Sequence, residues 1–182
     1  MDPSLVSRAQ HGDEEAFALL AVAVGNGLLA VAHRILRDVD LAKDATQQAL
    51  LQIWRDLPQL RDSARFEAWS YRIVVRECYR IGSRTRAWSP SPHLVVLDPP
   101  DTTDALSEVH DRDQLERAFR RLSVEHRAVV VLHYYLDQSI DEIAETLDVP
   151  AGTVKSRIHN AMRGLRAAVD ADARPSIGEV VG

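Results

Sequence analysis

The sequence predicts an all-α protein: two small helical domains joined by a flexible acidic linker, the second domain containing a helix-turn-helix. Three observations predict it. Apolar residues recur at steps of three or four along most of the chain, while the two-residue alternation of strands is nearly absent. Pro90, Pro92, Pro99 and Pro100 cluster with Ser, Thr and Asp between Arg86 and Val109 and divide the helical pattern in two. Ser139-Ile140-Asp141-Glu142 spells a capping box, the signature of a helix start. A length of 182 residues suits one domain or two small ones, and 46% hydrophobic with 27% charged residues is enough to bury a core.

Met1-Asp2-Pro3-Ser4 lacks the basic start and apolar run of a secretory signal, so the chain is expected to stay in the cytoplasm. Ala16 to Ala32 is free of charge but shorter than the roughly 20 residues a membrane span needs. Gly25-Asn26-Gly27 interrupts it, which predicts two buried helical segments joined by a flexible break and no membrane span. After Asp40, Leu41, Ala45, Ala49, Ile53, Trp54 and Leu57 draw one apolar face, ended by Pro58. Asp62-Ser63 then caps a helix striped by Phe66, Trp69, Ile73, Val74 and Ile81, reaching about Arg84.

The linker follows over 87–110. From Ala87 to Gln114, six acids (Asp98, Asp101, Asp104, Glu108, Asp111, Asp113) face one base (Arg112), the composition of a solvated spacer. Helical pattern resumes near Asp111 with Leu115, Phe119 and Leu122. Ser123 with Glu125 starts a further helix into Val129, Val130, Leu132 and Tyr135. Ile143, Ala144 and Leu147 give the capped helix its buried side, Asp148-Val149-Pro150 breaks it, and Val154, Ile158, Met162, Leu165 and Val169 stripe the last helix. The expected units are 1–86, the linker 87–110, 111–170, and a frayed tail 171–182.

The net charge of −5 is only an average. Pro150 to Val169 holds Lys155, Arg157, Arg163 and Arg166 with no acid, whereas Asp137 to Asp148 holds five acids and no base. With the apolar stripe turned inward, Lys155, Ser156, His159, Asn160 and Arg163 face out, able to donate to phosphates or base edges. Thr153 and the free N–H groups near Gly152 suit a phosphate at the helix start. A helix hairpin with a merely solvated basic face has the same pattern. Arg61 to Trp88 carries seven bases (Arg61, Arg65, Arg72, Arg76, Arg80, Arg84, Arg86) against three acids, interleaved with Phe66, Trp69, Tyr71, Tyr79 and Trp88. A cationic track with aromatic platforms is the chemistry of single-stranded nucleic acid binding. Phe66 and Trp69, at helical spacing, are expected in the core, leaving Tyr71 and the arginines as contacts.

Enzymatic chemistry has no visible home. Cys78 is the only cysteine, which excludes an internal disulfide and a multi-thiolate metal site. His126 and His133 lack a third ligand nearby, and neither HExxH, a Gly-rich phosphate loop nor Gly-x-Ser-x-Gly occurs. No catalytic residue, metal or cofactor is therefore expected.

Three stretches together resemble one family. Asp44-Ala45-Thr46-Gln47-Gln48-Ala49-Leu50-Leu51-Gln52-Ile53-Trp54, Phe66-Glu67-Ala68-Trp69-Ser70-Tyr71-Arg72-Ile73 and Gly152-Thr153-Val154-Lys155-Ser156-Arg157-Ile158 stand in the order found in extracytoplasmic-function (ECF, group 4) sigma factors of the sigma-70 family. The resemblance spans roughly residues 10 to 169 and implies a dissociable subunit that binds core RNA polymerase and directs initiation at promoter −10 and −35 elements. It assigns Asp44, Gln47, Gln48, Leu51 and Trp54 to docking on the clamp helices of the largest polymerase subunit; Gln48 stands where an acid is common. It assigns Phe66 to Arg84 to melting the −10 element and capturing a flipped base, through Tyr71, Arg72, Arg76, Arg80 and Arg84, with Arg76 where Asn is frequent. The last helix resembles the −35 reader, with Thr153, Lys155, Ser156, His159, Asn160 and Arg163 toward DNA and His133 at a position that often carries a base. In this family the linker threads the polymerase cleft toward the RNA exit path, which gives the acidic segment a second reading. A separate anti-sigma protein is compatible with the resemblance. The rival reading is a stand-alone helix-turn-helix regulator, which would bind its operator without polymerase.

Overall fold

Aspartate opens helix after helix in the first half. Asp2 accepts from Ser4 N at 2.9 Å, Asp13 from Ala16 N at 2.9 Å, and Asp38 from both Asp40 N and Leu41 N at 2.9 Å, starting α1 (Pro3–Gln10), α2 (Glu14–Leu36) and α3 (Val39–Asp56). Asp62 caps a short 3-10 turn at Ser63–Arg65 that leads into α4 (Phe66–Trp88). The second half holds α5 (Ser107–Arg120), α6 (Val124–Val130), α7 (Ile140–Leu147) and α8 (Ala151–Asp172). The computed structural model describes residues 1–88 and 107–172, and no strand occurs among them. The central part of the expected acidic linker and nearly all of the expected tail lie outside the described residues.

The break expected at Gly25-Asn26-Gly27 does not exist: α2 is one continuous helix. A helical glycine costs about 1 kcal/mol relative to Ala, and burial of Leu20, Val24, Leu28, Val31 and Ile35 against α3 and α4 offsets it. Gly27 also has a steric reason to be glycine, because a Cβ there would collide with the Tyr71 hydroxyl of α4. By length and composition α2 could cross a membrane, with a mean hydropathy of 1.9. In the fold it is instead the central core helix of the first half.

The ends of the linker are more helical than expected. α4 runs past Arg84 and is helical through Trp88, and α5 is helical from Ser107, ahead of Asp111. These polar extensions add no apolar stripe, so periodicity could not reveal them.

Ser123 caps α6 through His126 N, as its sequence predicts. The helix then widens into a π-turn over Val131–Tyr135, with Leu136 N bonded to Val131 O at 3.0 Å. The extra residue in this turn shifts the register, so Leu132 stays buried while Tyr134 and Tyr135 are exposed. α7 carries the full capping box: Glu142 N donates to Ser139 Oγ at 3.3 Å, and Ser139 N to Glu142 Oε2 at 2.9 Å. Asp148, in the left-handed region at φ 53°, ends α7 and turns the chain into α8. Gln114 Nε2 donates to Val169 O at 2.6 Å and ties α5 to α8 beside Ala118, Leu122, Ala161, Leu165 and Ala168.

α4 is a wall shared by both halves. Ile73, Val74, Val75 and Cys78 belong to one continuous apolar cluster that includes Leu20 and Ile53 on one side and Ala128, Leu132, Ile143 and Val154 on the other. Gly82 admits Val124 so closely that a Cβ there would lie 2.5 Å from a Val124 methyl. Arg37 pairs with Glu116, and the Arg34 guanidinium lies 4.5 Å from the centre of the Tyr135 ring. Arg127 is 7% exposed at this joint; burial, and then the Arg37 charge, bring its pKa down to about 10 against the opposing pull of Glu125.

Candidate nucleic-acid interface

The α7–α8 pair builds the clearest site. Pro150 O accepts from Thr153 N at 2.8 Å and Val154 N at 3.2 Å, which fixes the first turn of α8. Val154 points inward, fully buried, and Lys155, Ser156, His159, Asn160 and Arg163 are all exposed on the opposite side. Thr153 is half-buried, and the Ser156 hydroxyl donates back to Thr153 O at 2.9 Å, leaving its oxygen lone pairs outward. A groove of about 600 Å³ runs along this face, lined by His133, Lys155, His159, Arg163 and Arg166 over an apolar floor of Ile140, Ile158 and Met162. His133 therefore does join the α8 residues. Its Nδ1 lies 3.0 Å from the Gln138 carbonyl, which only accepts, so Nδ1 carries a proton in this contact. Arg166 is part of the groove although the apolar period alone did not single it out.

The residues predicted on α4 have a different environment. Tyr71 is half-buried, its hydroxyl in the notch over Gly27; burial, then the charges of Glu67 and Tyr135, push its pKa up. Arg72 Nη2 donates to Glu142 Oε1 at 3.0 Å. Arg76 donates from Nε to Thr146 O at 2.7 Å and from Nη2 to Glu145 O at 3.1 Å. Arg80 pairs with Glu77 one turn away, and Arg84 is exposed. Two of these four arginines, Arg72 and Arg76, are thus held by α7. Arg157 of α8 adds a contact the sequence did not announce: Nη2 donates to the Tyr79 hydroxyl at 3.1 Å, with the guanidinium 5.6 Å from that ring's centre.

On the far side, Asp44, Gln47, Gln48 and Leu51 share one exposed face of α3, with Trp54 half-buried at its end. A cleft of about 340 Å³ opens there, lined by Phe17, Leu50, Leu51, Trp54, Gln47 and Glu14. Phe17 and Trp54 pack as a tilted pair, with centroids 4.6 Å apart at 57°. Sequence reading found Gln47, Leu51 and Trp54 but missed Phe17, because α2 and α3 meet only in the fold. Asp44 and Gln48 flank the cleft without lining it. Among the described residues, no group of three or more His, Cys, Asp or Glu side chains could hold a metal ion.

Comparison with known proteins agrees with this geometry. Residues 20–88 match the family described as Sigma-70 region 2, and residues 112–165 the one described as Sigma-70, region 4. The ECF RNA polymerase sigma factor SigW of Bacillus subtilis (strain 168) is 26% identical, over 88% of this chain and 92% of that protein. The ECF RNA polymerase sigma-E factor of Escherichia coli (strain K12) is 29% identical, over 97% of this chain and 96% of that one. Among solved structures, the sigma factor RpoE in complex with the anti-sigma factor NepR from Bartonella quintana shares the fold at a TM-score of 0.57, with 22% identity over 86% of this chain and 98% of that chain. With both regions matched in order on the two helical halves, the chain belongs to the sigma-70 family and, within it, to the ECF sigma factors.

Proposed function

We propose that this chain, a sigma factor of promoter recognition and transcription initiation, divides that work among three surfaces. The face of α8 with Thr153, Lys155, Ser156, His159, Asn160 and Arg163, together with His133, reads the duplex −35 element. Tyr71, Arg72, Arg76, Arg80 and Arg84 of α4 serve the melted −10 element. Asp44, Gln47, Gln48, Leu51 and Trp54, with Phe17, dock on core RNA polymerase. The division follows the units 1–86 and 111–170, with 87–110 as their connection and 171–182 as a tail. RNA synthesis is left to the polymerase, so the chain acts as a specificity subunit in the cytoplasm.

The observation that carries this reading is the outward cationic face of α8 behind the capped α7. A helix that buries Val154, Ala161 and Leu165 on one side and presents cations on the other is what insertion into a major groove requires. The RpoE relative was solved with an anti-sigma factor, which supports a similar partner here. The test is run-off transcription with core polymerase, this protein and a pooled promoter library, with sequencing of the transcripts that depend on it. Transcripts sharing two spaced upstream elements are expected. Operator binding without polymerase, and no dependent transcripts from an active core enzyme, would favour a stand-alone regulator.

A further inference from the structure

The π-turn at Val131–Tyr135 fixes a histidine at the rim of the α8 groove. Gln138 N reaches back to Leu132 O at 3.0 Å, and Asp137 adopts the left-handed region at φ 50° on the way. Gln138 is 7% exposed, and its side-chain oxygen accepts from the Thr146 hydroxyl at 3.4 Å, which ties this segment to α7. The Gln138 carbonyl is thereby placed to accept from His133 Nδ1 at 3.0 Å. The Tyr134 ring meets the imidazole at a steep angle, with centroids 4.7 Å apart. Two contacts thus orient a half-buried ring, and Nε2 is the nitrogen left for whatever enters the groove.

The charges around that nitrogen have one sign. α8 brings Lys155, His159, Arg163 and Arg166, α7 brings Ile140, and among the described residues no carboxylate lines the groove. Asp141 and Glu142 in the first turn of α7 lie outside its lining, and Glu142 is bonded to Ser139 and Arg72. α2 reaches the turn with Arg34, over the Tyr135 ring. Cations disfavour a second proton on an imidazole, whereas phosphate oxygens favour it. Histidine is also the side chain whose charge changes near neutral pH. We propose that His133 is the proton-linked phosphate contact of this groove: as duplex DNA enters, Nε2 binds a proton from solvent and donates it in a hydrogen bond to a phosphate oxygen. This rests on the reading of the groove as the −35 surface. Acid therefore tightens binding, and one proton sets a ceiling of about tenfold per pH unit. His159 has the same chemistry, but it stands exposed on α8, where water solvates its charge and DNA changes the balance less.

The test uses holoenzyme and a labelled duplex bearing the −35 element found by transcript sequencing. Anisotropy gives the affinity at about pH 8 and about pH 6, at fixed salt, for wild type, His133→Gln, His133→Lys and His159→Gln. Circular dichroism of each free chain at both pH values checks folding, and titration of the polymerase itself cancels in the ratio of wild type to variant. Wild type is expected to gain at least about threefold more affinity on acidification than His133→Gln, whose amide donates equally at both pH values. His133→Lys, charged throughout, should bind at the higher pH as wild type does at the lower one. His159→Gln should keep the wild-type response. Titration calorimetry in two buffers of different ionisation heat should find more proton uptake on binding in wild type than in His133→Gln. Equal pH responses of wild type and His133→Gln overturn the proton link, as does loss of the response in His159→Gln instead. If His133→Gln does not fold, equal responses of wild type and His133→Lys overturn it. No duplex binding by wild-type holoenzyme at either pH, with active core enzyme, overturns the −35 reading and this proposal with it.

Discussion

Lys155→Ala tests the phosphate contact proposed for the outward side of α8. Lys155 is exposed on the outward side of α8, has no ion-pair partner among the described residues, and follows a first turn free of acids. Alanine is the better helix former, so the change costs nothing in folding. Each phosphate neutralised contributes about 0.9 to the slope of log affinity against log salt. Over a fourfold rise in salt, from about 50 to about 200 mM, that single contact amounts to roughly a 3.5-fold loss of affinity. Wild-type holoenzyme should therefore weaken about 3.5 times more than the variant over this range. The assay is anisotropy titration of a labelled duplex bearing the −35 element found by transcript sequencing, repeated at four salt concentrations with both holoenzymes. Parallel slopes would remove Lys155 from the phosphate contacts and refute the orientation assigned to α8.

Three further outcomes follow from the packing. Gly27→Ala should destabilise the chain by about 1–3 kcal/mol through the clash with the Tyr71 hydroxyl, and Tyr71→Phe in the same chain should recover most of it; denaturant unfolding of the double-mutant cycle checks this. Trp54→Ala removes the ring packed against Phe17 and should weaken core polymerase binding at least tenfold in a pull-down titration, an effect of the size seen for aromatic anchors at interfaces. Circular dichroism must show intact helices, and normal core binding with intact helices would reject the docking role. Ser139, first through its backbone N–H and then its hydroxyl, holds the Glu142 carboxyl below its ordinary value of 4.5, with Arg72 and Arg65 adding to this against desolvation. A folded pKa below the unfolded one gives stability that is complete above 4.5 and lost as pH falls through the folded value. The thermal midpoints of wild type and Glu142→Gln should therefore differ at neutral pH and converge in acid.

Local chemistry was the legible part. Ser139 and Glu142 announced their capping box because both partners lie within one turn, and the outward set on α8 followed from Val154 and Leu165 pointing in. The continuity of α2 through Gly25 and Gly27 was not legible, because what offsets the glycines is burial against α3 and α4, which meet α2 only in the fold. Nor was the π-turn at Val131–Tyr135, since one residue too many in a turn looks in sequence like an ordinary helix. Periodicity identifies the apolar side of α4 but not what meets its polar side, so the clasp of Arg72 and Arg76 by α7 had no sequence signal. Phe17 was missed in the cleft beside Trp54 for the same reason: two helices must meet before the cleft exists.

The apolar cluster that passes from α2 through α4 into α6 and α7 also binds the fates of the two halves. Loss of either half uncovers the apolar side of the other, so the free chain should melt in one calorimetric transition rather than two. Parting the halves draws on the same free energy that keeps the chain folded. A substitution that tightens the seam along α4 would therefore raise the resistance of both halves to heat together, although it touches only a few side chains.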